Sequence, residues 1–239
     1  MKLDILVLAA HPDDAELSCG GTIASHTSAG KKVGIIDFTR GEMGTRGTPE
    51  TREEEAQASS RILNVSVREN MGFADGFFKN DEDHQLKLIT KIRQYQPDIV
   101  IANAVRDRHP DHGRGAELCR DACFKSGLRM IKTTWNGETQ SDWRPKQVWH
   151  MIQSVYIKPD LVVDVSEHWN TKMDAVRCFK SQFDASEGDD PGTFLTTPIF
   201  MKFIEARAQE FGHAIGVAYG EGYTNDKQLG VSSLFDMKL

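Results

Sequence analysis

The run Ile5-Leu-Val-Leu-Ala9 passes without a break into Ala10-His11-Pro12-Asp13-Asp14-Ala15-Glu16, and this junction decides the fold. Five consecutive apolar residues suit a strand covered on both faces, as in a parallel sheet with helices on either side. Pro12 lies where the chain leaves the strand, and His-Pro-Asp reads as a helix N-terminus with Asp as its cap. Similar apolar runs recur at 33–38, 99–102 and 161–165. Helices are expected between and after them at 15–29, 50–63, 85–95, 113–124, 170–179 and 197–211. Alternating strands and helices make βαβ units with right-handed crossovers. The expected fold is therefore α/β and Rossmann-like, with a mainly parallel central sheet flanked by helices. The 239 residues hold no repeat, low-complexity tract or linker, and residues 1–239 are read as one domain.

Lys and Arg total 29 against 35 Asp and Glu, a net charge of −6 that argues against a nucleic-acid partner. A chain that is 39% hydrophobic and 27% charged is globular in composition. No apolar stretch approaches the ~18 residues of a membrane helix, and the short apolar start reads as a strand rather than a signal peptide. No membrane partner is expected. Cys119 and Cys123 are spaced too widely for a C-x-x-C redox motif and read as buried thiols on one helix. With Cys19 and Cys178 the cysteines are sparse, in keeping with a reducing cytoplasm.

The strand at 99–102 leads into a second cluster, Arg106-Asp107-Arg108-His109-Pro110-Asp111-His112. In an open α/β sheet the carboxyl ends of the strands share one face, and ligands bind where the strand order reverses. Either cluster alone reads as a capped helix start. Together, three histidines and several acids after two strands predict a divalent-metal site, because neutral imidazoles and one carboxylate leave a position open for water. Asp13 and Asp14 point in different directions as the chain turns, so one is expected on the metal and the other as a base. His109 and His112 share a helix face, one to ligate and one to reach the substrate. Asp111 is left to hold an imidazole in its tautomer.

The runs at 10–16 and 109–112 resemble the two signatures of the LmbE-like, or PIG-L, family of metal-dependent de-N-acetylases. Further stretches are similar to its bacillithiol-biosynthesis branch, which removes the acetyl group from N-acetylglucosaminyl malate. They are 39–48, Gly76-Phe-Phe78, Arg108 to Arg114, Trp143-Arg-Pro-Lys146, Ile157-Lys-Pro-Asp160, Glu205-Ala-Arg207 with Glu210-Phe-Gly212, and Tyr219-Gly-Glu-Gly222. The resemblance implies that His11, Asp14 and His112 bind the metal, zinc or ferrous iron. It makes Asp13 the general base, His109 a protonated acid or electrophile, and Asp111 the partner that orients His109. It places Arg52 and Asp75 on the sugar and Arg108 near the anionic or sugar portion of an amino-sugar glycoside. It also implies a homo-oligomer, a hexamer.

Arg40, Arg46, Arg52, Arg106, Arg108 and Arg114 all follow the same strand ends. Arginine forks suit carboxylates, so at least one is expected to read the malate unless Glu42, Glu50, Glu53, Asp107 and Asp111 engage them. Gly41, Gly44 and Gly47 match neither G-x-G-x-x-G nor a P-loop and mark a substrate loop. The acidic stretch 183–193 reads as a solvated loop. Tyr219 and Glu221 are candidates to close over the pocket, and Phe77 and Phe78 are read as core or subunit contacts. His26, His84, His150, His168 and His213 are read as structural. Competing readings are a deacetylase of another N-acetyl sugar, a non-haem iron oxygenase built on two His and one carboxylate, and a Rossmann nucleotide module. The α/β pattern and the spare carboxylate base disfavour the oxygenase. The absent glycine fingerprint disfavours the nucleotide module.

Overall fold

A computed structural model describes residues 1–233 and Phe235. In chain order it carries β1 (Ile5–Ala9), α1 (Asp14–Ser28), β2 (Val33–Asp37), α2 (Pro49–Ile62), β3 (Val67–Asn70), α3 (Glu82–Tyr95), β4 (Ile99–Ala102) and α4 (Pro110–Ser126). A small hairpin, β5 (Thr134–Trp135) and β6 (Glu138–Thr139), precedes β7 (Gln147–Met151), β8 (Leu161–Asp164), α5 (Trp169–Val176), α6 (Lys180–Phe183), α7 (Pro198–Ala214) and β9 (Gly220–Thr224). The main sheet has the order β3-β2-β1-β4-β7-β9-β8.

The first five strands of that order run parallel, with Ile5 opposite Val33 on one side and Ile99 on the other. The expected mainly parallel α/β fold is therefore present. Strand polarity splits the core into two layers. Leu6 and Leu8 pack with Leu88 and Ile92 of α3 and Leu118 of α4, while Ile5, Val7 and Ala9 pack with Ile23 of α1 and Ala175 of α5. Because β1 neighbours both β2 and β4, the chain reverses direction across the sheet between β1 and β4. The crevice there is where an open α/β sheet binds ligands.

Three departures from the sequence reading have physical causes. The run at 161–165 was expected to be parallel, yet β8 pairs antiparallel with β9. The Gly-Glu-Gly-Tyr run, which held Glu221 as a candidate to close over the pocket, is a buried strand between β7 and β8 with Glu221 on the cavity wall. Its glycines are needed for close approach, since a Cβ on Gly220 would lie 2.6 Å from Val162 and one on Gly222 2.8 Å from the Phe211 ring. Helix α1 breaks at Cys19 (φ −140°, ψ 18°), and Glu221 caps its second half by accepting the N–H groups of Gly21 (2.9 Å) and Thr22 (2.7 Å). The buried Lys172 ammonium, 2.6 Å away, balances that carboxylate. Cys119 and Cys123 are buried on α4 as expected. No helix among the described residues is long and apolar enough to cross a membrane.

Candidate metal-dependent active site

The two His-Pro-Asp clusters start α1 and α4 at the switch point. Asp13 is the N-cap of α1, with φ 119° and ψ −27°. A non-glycine residue holds such a backbone only where its surroundings over-determine it, and strain of this kind clusters at functional sites. His109 caps α4, its Nδ1 accepting the Asp111 backbone N–H at 3.3 Å, with Pro110 in the first helical turn. These caps bring His11, Asp13, Asp14, His109 and His112 together with Arg52, Asp75 and Arg108 around one cavity of about 260 Å³. The rings of His11 and His112 are 5.6 Å apart, and those of His11 and His109 4.6 Å.

Hydrogen bonds fix which ring nitrogens face inward. His11 Nε2–H donates to Asp75 Oδ1 at 3.0 Å, leaving Nδ1 toward Asp14 Oδ2 at 3.5 Å. His112 Nδ1–H donates to Asp107 Oδ2 at 2.6 Å, leaving Nε2 toward Asp14 Oδ1 at 3.1 Å. Asp14 is itself held by the His11 backbone N–H (3.0 Å), Asn103 Nδ2 (3.0 Å) and Gln153 Nε2 (2.9 Å). Carboxylates behind ligating histidines fix tautomer and ring orientation in metal sites. The donor set fits a divalent cation: two imidazoles with outer nitrogens tied to acids, and a carboxylate between their inner nitrogens. His109 lies within the same ligand-distance group as His11 and His112.

The electrostatics favour positive charge at the centre. Burial works against a charged His11, but hydrogen bonds that it donates to the carboxylates of Asp111, Asp14 and Asp75 raise it well above its usual value. His112 is likewise opposed by burial and lifted to about 9, chiefly by Asp14. Burial would raise Asp14, yet His112 and His11 hold it well below the carboxylate range. Asp13 differs: burial raises its carboxyl to about 7 despite the Arg52 guanidinium 3.1 Å away. A cation would compete with protons for the imidazoles, so metal uptake releases them.

Several site residues have partners other than those expected. Asp75, expected on the sugar, lines the cavity with its two oxygens engaged by His11 and by the Met43 N–H at 2.9 Å. Asp111, expected to orient His109, is fully buried and meets His109 through its backbone N–H, which donates to Nδ1 at 3.3 Å, and not through its carboxylate. Its carboxylate accepts the Gly76 N–H at 2.8 Å and the Arg114 guanidinium, and it sits 3.5 Å from His11 Nε2. Of the six arginines, Arg40 pairs with Glu50 and Glu53. Arg46 is buried and donates to the carbonyls of Ser181, Asp184, Glu187, Asp190 and Pro191. The acidic stretch expected to be solvated is thus wrapped around that guanidinium. Arg52 bridges Asp13 to the carbonyls of Pro12 (2.7 Å) and Gly41 (3.1 Å). Arg108 lines the cavity without an ion-pair partner among the described residues. Asp107 serves His112 rather than an arginine.

A family profile described as PIG-L, GlcNAc-PI de-N-acetylase, matches residues 6–123, which include both clusters. The chain is 28% identical to diacetylchitobiose deacetylase of Thermococcus kodakarensis, over 91% of this chain and 81% of that protein. It is 31% identical to the uncharacterized deacetylase YaiS of Escherichia coli, over 64% of this chain and 83% of that one. A relative in Pseudomonas putida, 26% identical over 74% of this chain and 73% of that protein, is named a 4-oxalmesaconate hydratase. Among solved structures, the conserved protein TT1542 of Thermus thermophilus superposes with a TM-score of 0.86 at 33% identity, covering 97% of this chain and 98% of that one. The chain belongs to the PIG-L family.

Within this PIG-L chain, sequence reasoning missed Asn103, Gln153 and the role of Asp107. Asn103 Oδ1 accepts the Ala10 N–H at 2.8 Å while its Nδ2 reaches Asp14, so one side chain joins the ends of β1 and β4. A polar residue directly after a buried strand was a readable signal for it. Gln153 offered none, because nothing local links the loop after β7 to Asp14. Tyr219 stacks on Trp169 at 4.3 Å and is not among the residues lining the cavity. Phe78 is core, whereas Phe77 is exposed.

Proposed function

We propose that the chain is a divalent-metal-dependent hydrolase that removes the acetyl group from an N-acetylglucosaminyl glycoside. The observation that carries this reading is the opposed tautomers of His11 and His112, whose inner nitrogens flank Asp14 beside a second carboxylate, Asp13. In this reading His11, Asp14 and His112 hold zinc or ferrous iron. The cation would supply Lewis acidity, polarising the acetyl carbonyl and bringing the pKa of water at the site toward ~7.

Asp13, its carboxyl raised by burial to about 7, is matched to accept the proton of the attacking water near neutral pH. Arg52 aims it into the cavity. The proton held on Asp13 then serves the departing sugar nitrogen. Burial, and after it the charges on His11 and His112, lower the His109 imidazole. Since Nδ1 already accepts the Asp111 N–H, a neutral ring presents Nε2–H to the developing oxyanion. That assignment replaces the protonated His109 expected from sequence.

The glycoside we propose is N-acetylglucosaminyl L-malate, in a cytoplasmic homo-hexamer. It is supported by the similarity of residues 39–48 and 108–114 to the bacillithiol branch and by Arg108 at the cavity, which has no ion-pair partner among the described residues and whose fork suits a carboxylate. The similarity to a diacetylchitobiose deacetylase favours a second reading, a neutral N-acetyl sugar. Acetate release from the malyl glycoside, diacetylchitobiose and N-acetylglucosamine, each with and without a chelator, separates them. We expect chelator-sensitive release with the highest kcat/KM for the malyl glycoside. Equal values for that substrate and N-acetylglucosamine would support the second reading. No acetate from any, with hydration of an unsaturated dicarboxylate, would place the chain with the hydratase.

A further inference from the structure

The segment 152–155 after β7 touches the cluster on both sides of His112. Gln153 Nε2 donates to Asp14 Oδ1 at 2.9 Å, while its Oε1 accepts from Asn103 Nδ2 and the Ala104 N–H at 3.0 Å each. With its carbonyl so engaged, the amide can present only its NH2 to Asp14. Two residues on, the Val155 N–H donates to Asp107 Oδ1 at 2.7 Å, and Asp107 Oδ2 takes the Nδ1–H of His112 at 2.6 Å. The intervening backbone is gripped from α7. Arg207 donates through Nη1 to the Gln153 carbonyl and through Nη2 to the Ser154 carbonyl at 3.1 Å, its guanidinium 4.7 Å from the Phe203 ring centre. A planar fork on two successive carbonyls fixes the orientation of both peptide planes, which a lysine ammonium cannot do.

We infer that Arg207 is a positioning residue for the metal centre: by clamping the 153–154 backbone it sets Gln153 against Asp14 and Val155 against Asp107, the two carboxylates that face the two nitrogens of His112. The inference rests on the proposed reading of His11, Asp14 and His112 as ligands. Arg207 also lines the cavity, so its wall and Asp14 are linked by a short run of hydrogen bonds. A clamp that only fastened α7 to the body would change stability and leave the ligand geometry alone.

The test compares wild type with Arg207→Ala, Arg207→Lys and, as a control on the exposed part of α7, Lys202→Ala. Zinc affinity is measured by competition with a chromogenic chelator, and the visible d–d spectrum is recorded on the cobalt-loaded protein. We expect Arg207→Ala to bind zinc roughly tenfold more weakly, the lower end of what removal of outer partners costs, with a shifted cobalt spectrum and a reduced kcat at nearly unchanged KM. Arg207→Lys should recover part of the affinity, and Lys202→Ala should match wild type. Should Arg207→Ala fail to fold, Arg207→Lys and Gln153→Met carry the same readouts. Wild-type affinity and an unshifted cobalt spectrum in folded Arg207 variants would overturn the inference, whatever their stability. A wild-type protein that binds neither zinc nor cobalt overturns the ligand reading and this inference with it. One that binds zinc but releases no acetate overturns only the hydrolase reading, and affinity and spectrum still decide the role of Arg207.

Discussion

Arg52 Nη1 lies 1.7 Å from the point that a β-carbon on Gly41 would occupy, and Gly41 itself has φ +68°. Only glycine at that position lets the guanidinium pass beneath the loop to reach Asp13. Gly41→Ala should therefore displace Arg52 and with it the aim of the carboxylate. We expect kcat to fall by about 10², the scale set by an ångström of misplacement, with zinc affinity retained. Steady-state kinetics alongside metal titration checks this, and unchanged kcat would remove Arg52 from the positioning of Asp13.

Asp13→Asn keeps an oxygen for the Arg52 hydrogen bond but removes the proton acceptor. Turnover should drop by about 10²–10⁴ while the metal is bound as in wild type. Metal content after gel filtration, read against acetate release, decides the matter. Joint loss of metal and activity would make Asp13 a ligand.

Both oxygens of Asp107 accept, one from Val155 and one from His112. An amide at this position leaves one of those N–H groups facing an NH2. Asp107→Asn is expected to weaken zinc binding by about 10–100-fold, measured by chelator competition, whereas Glu82→Gln, exposed and outside the cavity lining, should leave it unaltered.

His150 donates Nδ1–H to the Asn103 carbonyl at 2.9 Å, and burial lowers its imidazole below the usual value. The sign follows from linkage. Above about pH 6.5 the ring is neutral in both folded and unfolded chains, and its contribution is complete. As the pH falls through that value, the unfolded chain gains a proton that the folded one resists, so stability is lost until the depressed folded value is reached. The Tm advantage of wild type over His150→Gln should thus be largest at pH 7–8 and shrink toward pH 5. A difference independent of pH would show that folding leaves the protonation of this ring unchanged.

Arg46 is gripped by five carbonyls, four of them from residues 184, 187, 190 and 191 of the acidic loop. No carboxylate among the described residues pairs with its charge, so backbone oxygens supply the solvation shell. Arg46→Met should cost more than about 3 kcal/mol in urea denaturation and open the loop to limited proteolysis. Resistance equal to wild type would mean that the loop is held by its own turns.

The strands that were legible in the sequence, β1, β2, β4 and β8, are those dominated by consecutive apolar residues, although the direction of β8 was not. Strand β3 was not, because Val67-Arg-Glu-Asn70 lies at the sheet edge and spends Arg68 on Asp37 and Glu16. Strand β9 was hidden by the glycines that its close neighbours demand. The two His-Pro-Asp clusters could be read because each follows its strand directly and starts a helix, so local sequence fixes their place. The supports of the imidazoles could not. Asp75 reaches His11 across 64 residues, and Gln153 reaches Asp14 across 139, so their pairing depends on where loops travel in three dimensions.

Glu221 caps the second half of α1 from 200 residues downstream of Gly21. As the polypeptide leaves the ribosome, the corner bearing Asp13 and Asp14 emerges well before its far prop. A nascent or prematurely terminated chain lacking β9 would hold the strands before it with the broken helix uncapped, so the competent pocket arises only once β9 slots into the gap between β7 and β8.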